Sequence, residues 1–129
     1  MMNNSFKKTL LTCIFFCASL LGYAQNAVED INTALRQGNA SKLSHYFDNN
    51  ITLNISGNVN TYSKSQAEMV LKDFFSKNDA KDFQPEHDGN SSNTRFVIGT
   101  LSTSNGKHRI YYALRTKDNK SILIEIRFD

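Results

Sequence analysis

Hydrophobic positions along the chain fall into two periods, and the change from one to the other sets out the fold. From Asn26 to Gln37, Val28, Ile31 and Leu35 recur at helical spacing, with Ala27 and Ala34 beside them, and Gly38 ends the run. Asn39 then caps a shorter helix over 40–47, on which Leu43 and Phe47 lie four apart. Asp48-Asn49-Asn50 has turn composition. Ile51, Leu53 and Ile55 alternate with polar residues, which predicts a half-buried strand, and Val59 to Tyr62 returns after Ser56-Gly57-Asn58 as its hairpin partner. From Ser63 to Asn78, Ala67, Val70, Leu71, Phe74 and Phe75 form one apolar stripe on a long helix, and Ser63 with Gln66 has the spacing of a capping box.

After that helix the period is two. Residues 78–82 read as a polar connection and 83–88 as the start of an extended segment, which Pro85 requires to lie at a sheet edge or to start late. Residues 88–93 read as a loop, followed by strands over 94–103, 107–116 and 121–128 joined by tight turns. Parity places Ile110, Tyr112 and Leu114 on one face, and Ile122, Ile124, Ile126 and Phe128 on one face of the last strand. The same counting assigns Val97, Leu101, Tyr111 and Leu123 to the opposite, mixed face, where they would form the contact surface of a homodimer.

The N-terminal segment changes the domain picture. Lys7 and Lys8 precede an apolar run from Leu10 to Leu21, and Gly22-Tyr23-Ala24 supplies small residues at its end. This is the pattern of a secretory signal peptide over residues 1–24, cleaved after Ala24, leaving one domain over 25–129. The run of 12 residues falls short of the roughly 20 needed to span a bilayer, so no membrane span is expected in the mature form. Both cysteines, Cys13 and Cys17, lie in the signal segment. An exported domain without disulfides must hold together by its core alone. Removing Lys7 and Lys8 leaves 13 basic against 12 acidic residues, a net charge of +1. Nucleic acid is not an expected partner of so even a balance.

The residues Tyr62-Ser63-Lys64-Ser65-Gln66-Ala67-Glu68 leading to Asp73-Phe74-Phe75, then His87 with Gly89, Ile98-Gly99-Thr100-Leu101, Asn105-Gly106 and Glu125-Ile126-Arg127, resemble the small exported DUF4783 proteins of Bacteroidetes. The element order is similar to that of the wider NTF2-like group. The resemblance implies an α+β fold: an NTF2-like (cystatin-like) cone, with a curved, mostly antiparallel sheet and about three helices packed on its concave face. It implies a periplasmic or secreted location and no assigned activity, because isomerases, dehydratases, dimerisation modules and ligand binders share this fold.

Candidate chemistry is sparse. Glu86-His87-Asp88 is the densest titratable cluster, and His87 or His45, with Asp88, are the catalytic candidates for general acid–base work. By resemblance of layout, Tyr62, His87, Tyr112 and His45 are the expected liners of a pocket between the long helix and the sheet. Lys107, Arg109, Arg115 and Lys117 share parity as a basic stripe. The three histidines are widely spaced and no metal or cofactor is expected. Three functional readings follow: non-catalytic binding of a small molecule or a protein partner, which is preferred; a pocket isomerase, dehydratase or hydrolase; and a homodimeric interaction module.

Overall fold

The computed structural model describes residues 27–129. The signal segment, its two cysteines and the cleavage position therefore lie outside the described residues. The first helix, α1, occupies 27–37. Gly38, at φ +64°, ends it with a pair of reverse hydrogen bonds, from Gly38 N to Leu35 O (3.1 Å) and from Asn39 N to Ala34 O (2.8 Å). A side chain at this position would be strained and would crowd the Phe75 ring. Asn39 Oδ1 accepts from Lys42 N at 3.0 Å and caps α2 (Ala40–Ser44).

Here the structure departs from the periodicity. α2 stops at Ser44, and Phe47 opens strand β1 (Phe47–Ile55). Asp48-Asn49-Asn50 is thus strand and not turn. Phe47 pairs with Leu123, and Leu123 N donates to Tyr46 O at 2.6 Å, so cross-strand bonds claim this backbone before a helical turn can close. A register irregularity between Phe47 and Thr52 absorbs the polar triplet. Tyr46 then bonds Asp30 of α1 through its hydroxyl. Burial, followed by the Asp30 carboxylate, pushes that phenol up to about 12, so it stays a proton donor across the neutral range.

Strand β2 (Asn58–Ser63) completes the first hairpin, and α3 (Lys64–Lys77) follows directly. The expected capping box is present: Gln66 N donates to Ser63 Oγ at 3.4 Å and Ser63 N to Gln66 Oε1 at 3.3 Å. The remaining strands are β3 (Ala80–Ser91), β4 (Thr94–Thr103), β5 (Gly106–Lys117) and β6 (Lys120–Phe128). The expected polar connection at 78–82 and loop at 88–93 are mostly strand, because β3 pairs with β4 from Ala80 to Ser91. The single sheet has the order β2-β1-β6-β5-β4-β3; only β1 and β6 run parallel. β3 is an edge strand, one of the two placements that Pro85 allows.

One face of the curved sheet meets the three helices in a single core. Phe74 and Phe75 of α3 pack on Phe128 at ring centroid distances of 4.6 and 6.3 Å, and Leu71, Ile110 and Ile126 are fully buried around them. On the same face the Phe83 ring occupies the place where a Cβ on Gly99 would stand, within 2.6 Å of it, so only glycine fits there.

The faces of β4 and β6 correct the parity assignment. Val97, Leu101 and Leu123 are buried in the core, and none is available on the outer face. For β4 the register decides: Val97 lies opposite Tyr112 and Leu101 opposite His108, on the helix side. For β6 a bulge decides: Ala113 pairs with Glu125 but Leu114 with Leu123, so Leu123 turns inward while Ile122 and Ile124 stay half-exposed. Of the four residues expected on the outer face, only Tyr111 lies there. It stacks on Phe96 at 6.0 Å, with the Arg127 guanidinium 4.6 Å above its ring.

This arrangement makes Leu123→Ala a core-cavity substitution, with an expected loss of about 2–5 kcal/mol. Ile124→Ala should cost clearly less. Urea unfolding of the two variants checks the bulge, since strict alternation along β6 reverses their order.

Candidate functional site

The space between α3 and the sheet is filled by Phe74, Phe75, Phe128, Leu71 and Ile110, not open as a pocket. A cavity lies instead at the end of the sheet where the β3–β4 and β5–β6 turns come together, with a volume of about 800 Å³. Asp88 and Asn90 of β3, the turn residues Ser92 and Asn93, and Thr94 and Arg95 of β4 form one side. Leu114, Arg115, Thr116 and Ser121 of the β5–β6 hairpin form the other.

The dominant feature of its wall is an ion pair. Arg95 Nε donates to Asp88 Oδ1 at 3.1 Å and Nη2 to Oδ2 at 2.7 Å, a two-bond fork that fixes both side chains. Those hydrogen bonds, together with the guanidinium charge, hold the Asp88 carboxyl below its ordinary range, so it is ionised at neutral pH. The pair remains in contact with water, with the Asp88 side chain 46% exposed. Apart from Leu114, the other lining residues are amides, hydroxyls and Arg115. Arg115 is itself balanced at the rim, where Asp48 lies 3.6 Å from both Arg115 and Lys117.

The four expected pocket residues do not converge on this cavity. Tyr112 is fully buried, and its hydroxyl donates to Asn32 Oδ1 of α1 at 2.7 Å. Burial, then the nearby Asp88 charge, pushes its phenol well above the ordinary tyrosine range. His87 pairs with Ile98 on the outer face and is exposed. His45 is exposed at the end of α2, and Tyr62 is half-buried opposite Ile51 near the sheet's other edge. His87 and Asp88 point to opposite faces, so they make no dyad. Only Asp88 of the catalytic candidates lines the cavity, and no imidazole lines it with Asp88. Half of the basic stripe is likewise balanced locally, since Arg115 and Lys117 face Asp48. Among the described residues no three histidine, cysteine or acidic side chains stand together as a metal site.

Of the residues that build the cavity, Asn90, Ser92 and Asn93 read in the sequence as loop, and Thr94, Arg95, Thr116 and Ser121 as the ends of strands with no chemistry assigned to them. A turn placed at Ser92-Asn93, and not spread over 88–93, brings Asp88 and Arg95 to one face; that placement was the available signal.

The sequence profile of the domain of unknown function DUF4783 matches residues 28–129. The chain belongs to the DUF4783 family. A DUF4783 protein from Bacteroides ovatus is 32% identical, with a TM-score of 0.75, covering 78% of this chain and 91% of its own. One from Bacteroides fragilis is 33% identical with the same TM-score, covering 78% of this chain and 94% of its own. An NTF2-like protein of unknown function from Silicibacter pomeroyi is 9% identical, with a TM-score of 0.60 over 88% of this chain and 97% of that one, and shares the fold. No curated protein matches this DUF4783 chain. Its fold is therefore the NTF2-like α+β cone.

The Asp88–Arg95 pair makes a pH-dependent contribution of fixed sign. The folded carboxyl titrates below its unfolded value near 4, so the contribution is complete above that value and is lost as pH falls through the folded one. Because the pair is partly exposed, Asp88→Asn should cost about 1 kcal/mol or less at neutral pH. Thermal unfolding of both proteins at neutral pH and at about pH 2 should show that difference shrinking in acid.

Proposed function

We propose that this DUF4783 protein is an exported, non-catalytic binder of a small, hydroxyl-rich ligand, held in the cavity at the open end of the sheet. The observation that carries this reading is the ionised Asp88, fixed by Arg95 in the wall of a cavity otherwise lined mainly by amides and hydroxyls. A carboxylate offers only acceptor lone pairs, while Asn90, Asn93, Thr116 and Ser121 both donate and accept. A polyol or sugar, whose hydroxyls do both, satisfies such a lining; an apolar molecule leaves it unpaired. The volume is within the range of small-molecule sites. With each cation at the mouth faced by an acid, the ligand is neutral or carries a single negative charge. Binding without turnover agrees with the dispersal of His45, His87 and Tyr112, which leaves no base and donor around one reacting atom. Export rests on Lys7, Lys8, the apolar run to Leu21 and Ala24.

Amide chemical-shift titration with D-glucose, myo-inositol and D-galacturonate, with butyrate as an apolar control, tests the reading. Saturable shifts confined to 88–95 and 114–121 are expected with at least one polyol, weakened about tenfold in Asp88→Asn through loss of a charge-assisted hydrogen bond. Each probe should be recovered unchanged after prolonged incubation. Shifts with butyrate alone, no shifts in these segments, or a probe converted to product would overturn it.

A further inference from the structure

The two edges of the sheet differ in how they meet solvent. β3 carries Lys81, Asp82, Pro85 and Glu86 and two register irregularities, the devices that keep an edge from pairing with another strand. β2 is Asn58-Val59-Asn60-Thr61-Tyr62-Ser63, with no charge, no proline and an unbroken register against β1. Among the described residues its one strand neighbour is β1. Val59 is 60% exposed.

The hairpin determines which backbone groups β2 leaves over. Ser56 and Gly57 both have positive φ, as in a two-residue turn closed by the Ile55–Asn58 pair. Asn58, Asn60 and Tyr62 therefore turn their amides and carbonyls to β1, while Val59, Thr61 and Ser63 turn theirs outward. The Ser63 amide already donates to Gln66 in the capping box. Val59 and Thr61 remain as the pair of outward donors.

We propose that β2 is the edge through which this protein associates with itself, pairing antiparallel with β2 of a second copy about a two-fold axis at Asn60. That register sets Val59 opposite Thr61 and Asn58 opposite Tyr62, so residues from the same side of each sheet meet. An axis between Asn60 and Thr61 sets outward Val59 against Tyr62 of the helix side and is excluded. An axis at Thr61 requires the amide that Ser63 has already committed. With the axis at Asn60, Val59 and Thr61 of the two copies exchange four backbone bonds. Val59 is covered by the threonine methyl, and no charge faces a like charge. A second copy fits this edge because the strand is complementary to itself in register, hydrogen bonding and charge. A six-residue seam is smaller than the roughly 800 Å² per partner of a standard interface, so the dimer is concentration-dependent.

Sedimentation of the purified protein from micromolar to millimolar concentration, with amide hydrogen exchange at both ends of the range, tests this. The sedimentation coefficient should rise towards that of a dimer, and exchange at Val59 and Thr61 should slow at least tenfold while β3 is unaffected. Asn60→Lys sets two lysines against each other on the axis, and Thr61→Pro removes a backbone donor that no strand among the described residues of the monomer uses, together with the exposed Thr52–Thr61 hydroxyl contact at 3.3 Å. Each should restore a monomer. If Thr61→Pro fails to fold, the exposed Asn60→Lys carries the test. A monomer throughout, association that survives Asn60→Lys, or protection at Phe96 and Tyr111 in place of β2 would overturn the proposal.

Discussion

The packing of Phe74 and Phe75 on Phe128 is the contact on which the rest of the molecule depends. It ties the longest helix among the described residues to the last strand, and the last strand lies between the first hairpin and the other three strands of the sheet. Because β6 pairs with β1 on one side and β5 on the other, docking α3 on Phe128 fixes the first hairpin and the three-strand meander to one another. The sheet must curve around the helix layer, and it does so at irregularities: between Phe47 and Thr52, between Pro85 and His87, and at Leu114. Asn105 closes the same end from outside, donating to Lys77 O at 2.6 Å and so satisfying a carbonyl at the end of α3.

Those irregularities also mark where the sequence could be read and where it could not. Elements with one uninterrupted period were legible, including α3 with its capping box and stripe, the first hairpin, and the turns between the last three strands. Parity then failed for a physical reason. Alternation reports a face only while the pairing adds one residue on each strand, and the bulge beside Leu114 breaks that count. Leu123 crosses into the core there, and neither its own chemistry nor that of Ile122 or Ile124 signals the change. Val97 and Leu101 are a different case: Arg95 and Gly99 share their face, which hides an apolar pattern behind one ion-paired and one packing residue.

The cavity was hidden for a related reason. Its wall is made of Asn, Ser and Thr at strand ends, residue types equally expected in solvated turns, and its two sides come from two successive hairpins that only the β4–β5 pairing brings side by side. The dense cluster Glu86-His87-Asp88 drew attention to chemistry that the sheet then divided between two faces. Asp88 lines the cavity because it lies on the inner face with Arg95, whereas His87 looks outward.

The location of the cavity follows from the different lengths of strands and helices. A strand of 12 residues such as β5 spans about 40 Å, at roughly 3.3 Å per residue. The 14 residues of α3 span about 21 Å, at 1.5 Å per residue. α3 therefore cannot by itself cover the length of the sheet, and with α3 anchored at the Phe128 end the sheet extends beyond it towards the end where its turns at 92–93 and 118–119 lie. Apolar side chains on that overhang would face water. The sequence places Asp88, Asn90, Arg95 and Thr116 there, and Leu114 marks the limit of the dry core. A concave polar surface is thus a consequence of fitting short helices to long strands, and what is particular to this chain is the ion pair set into it.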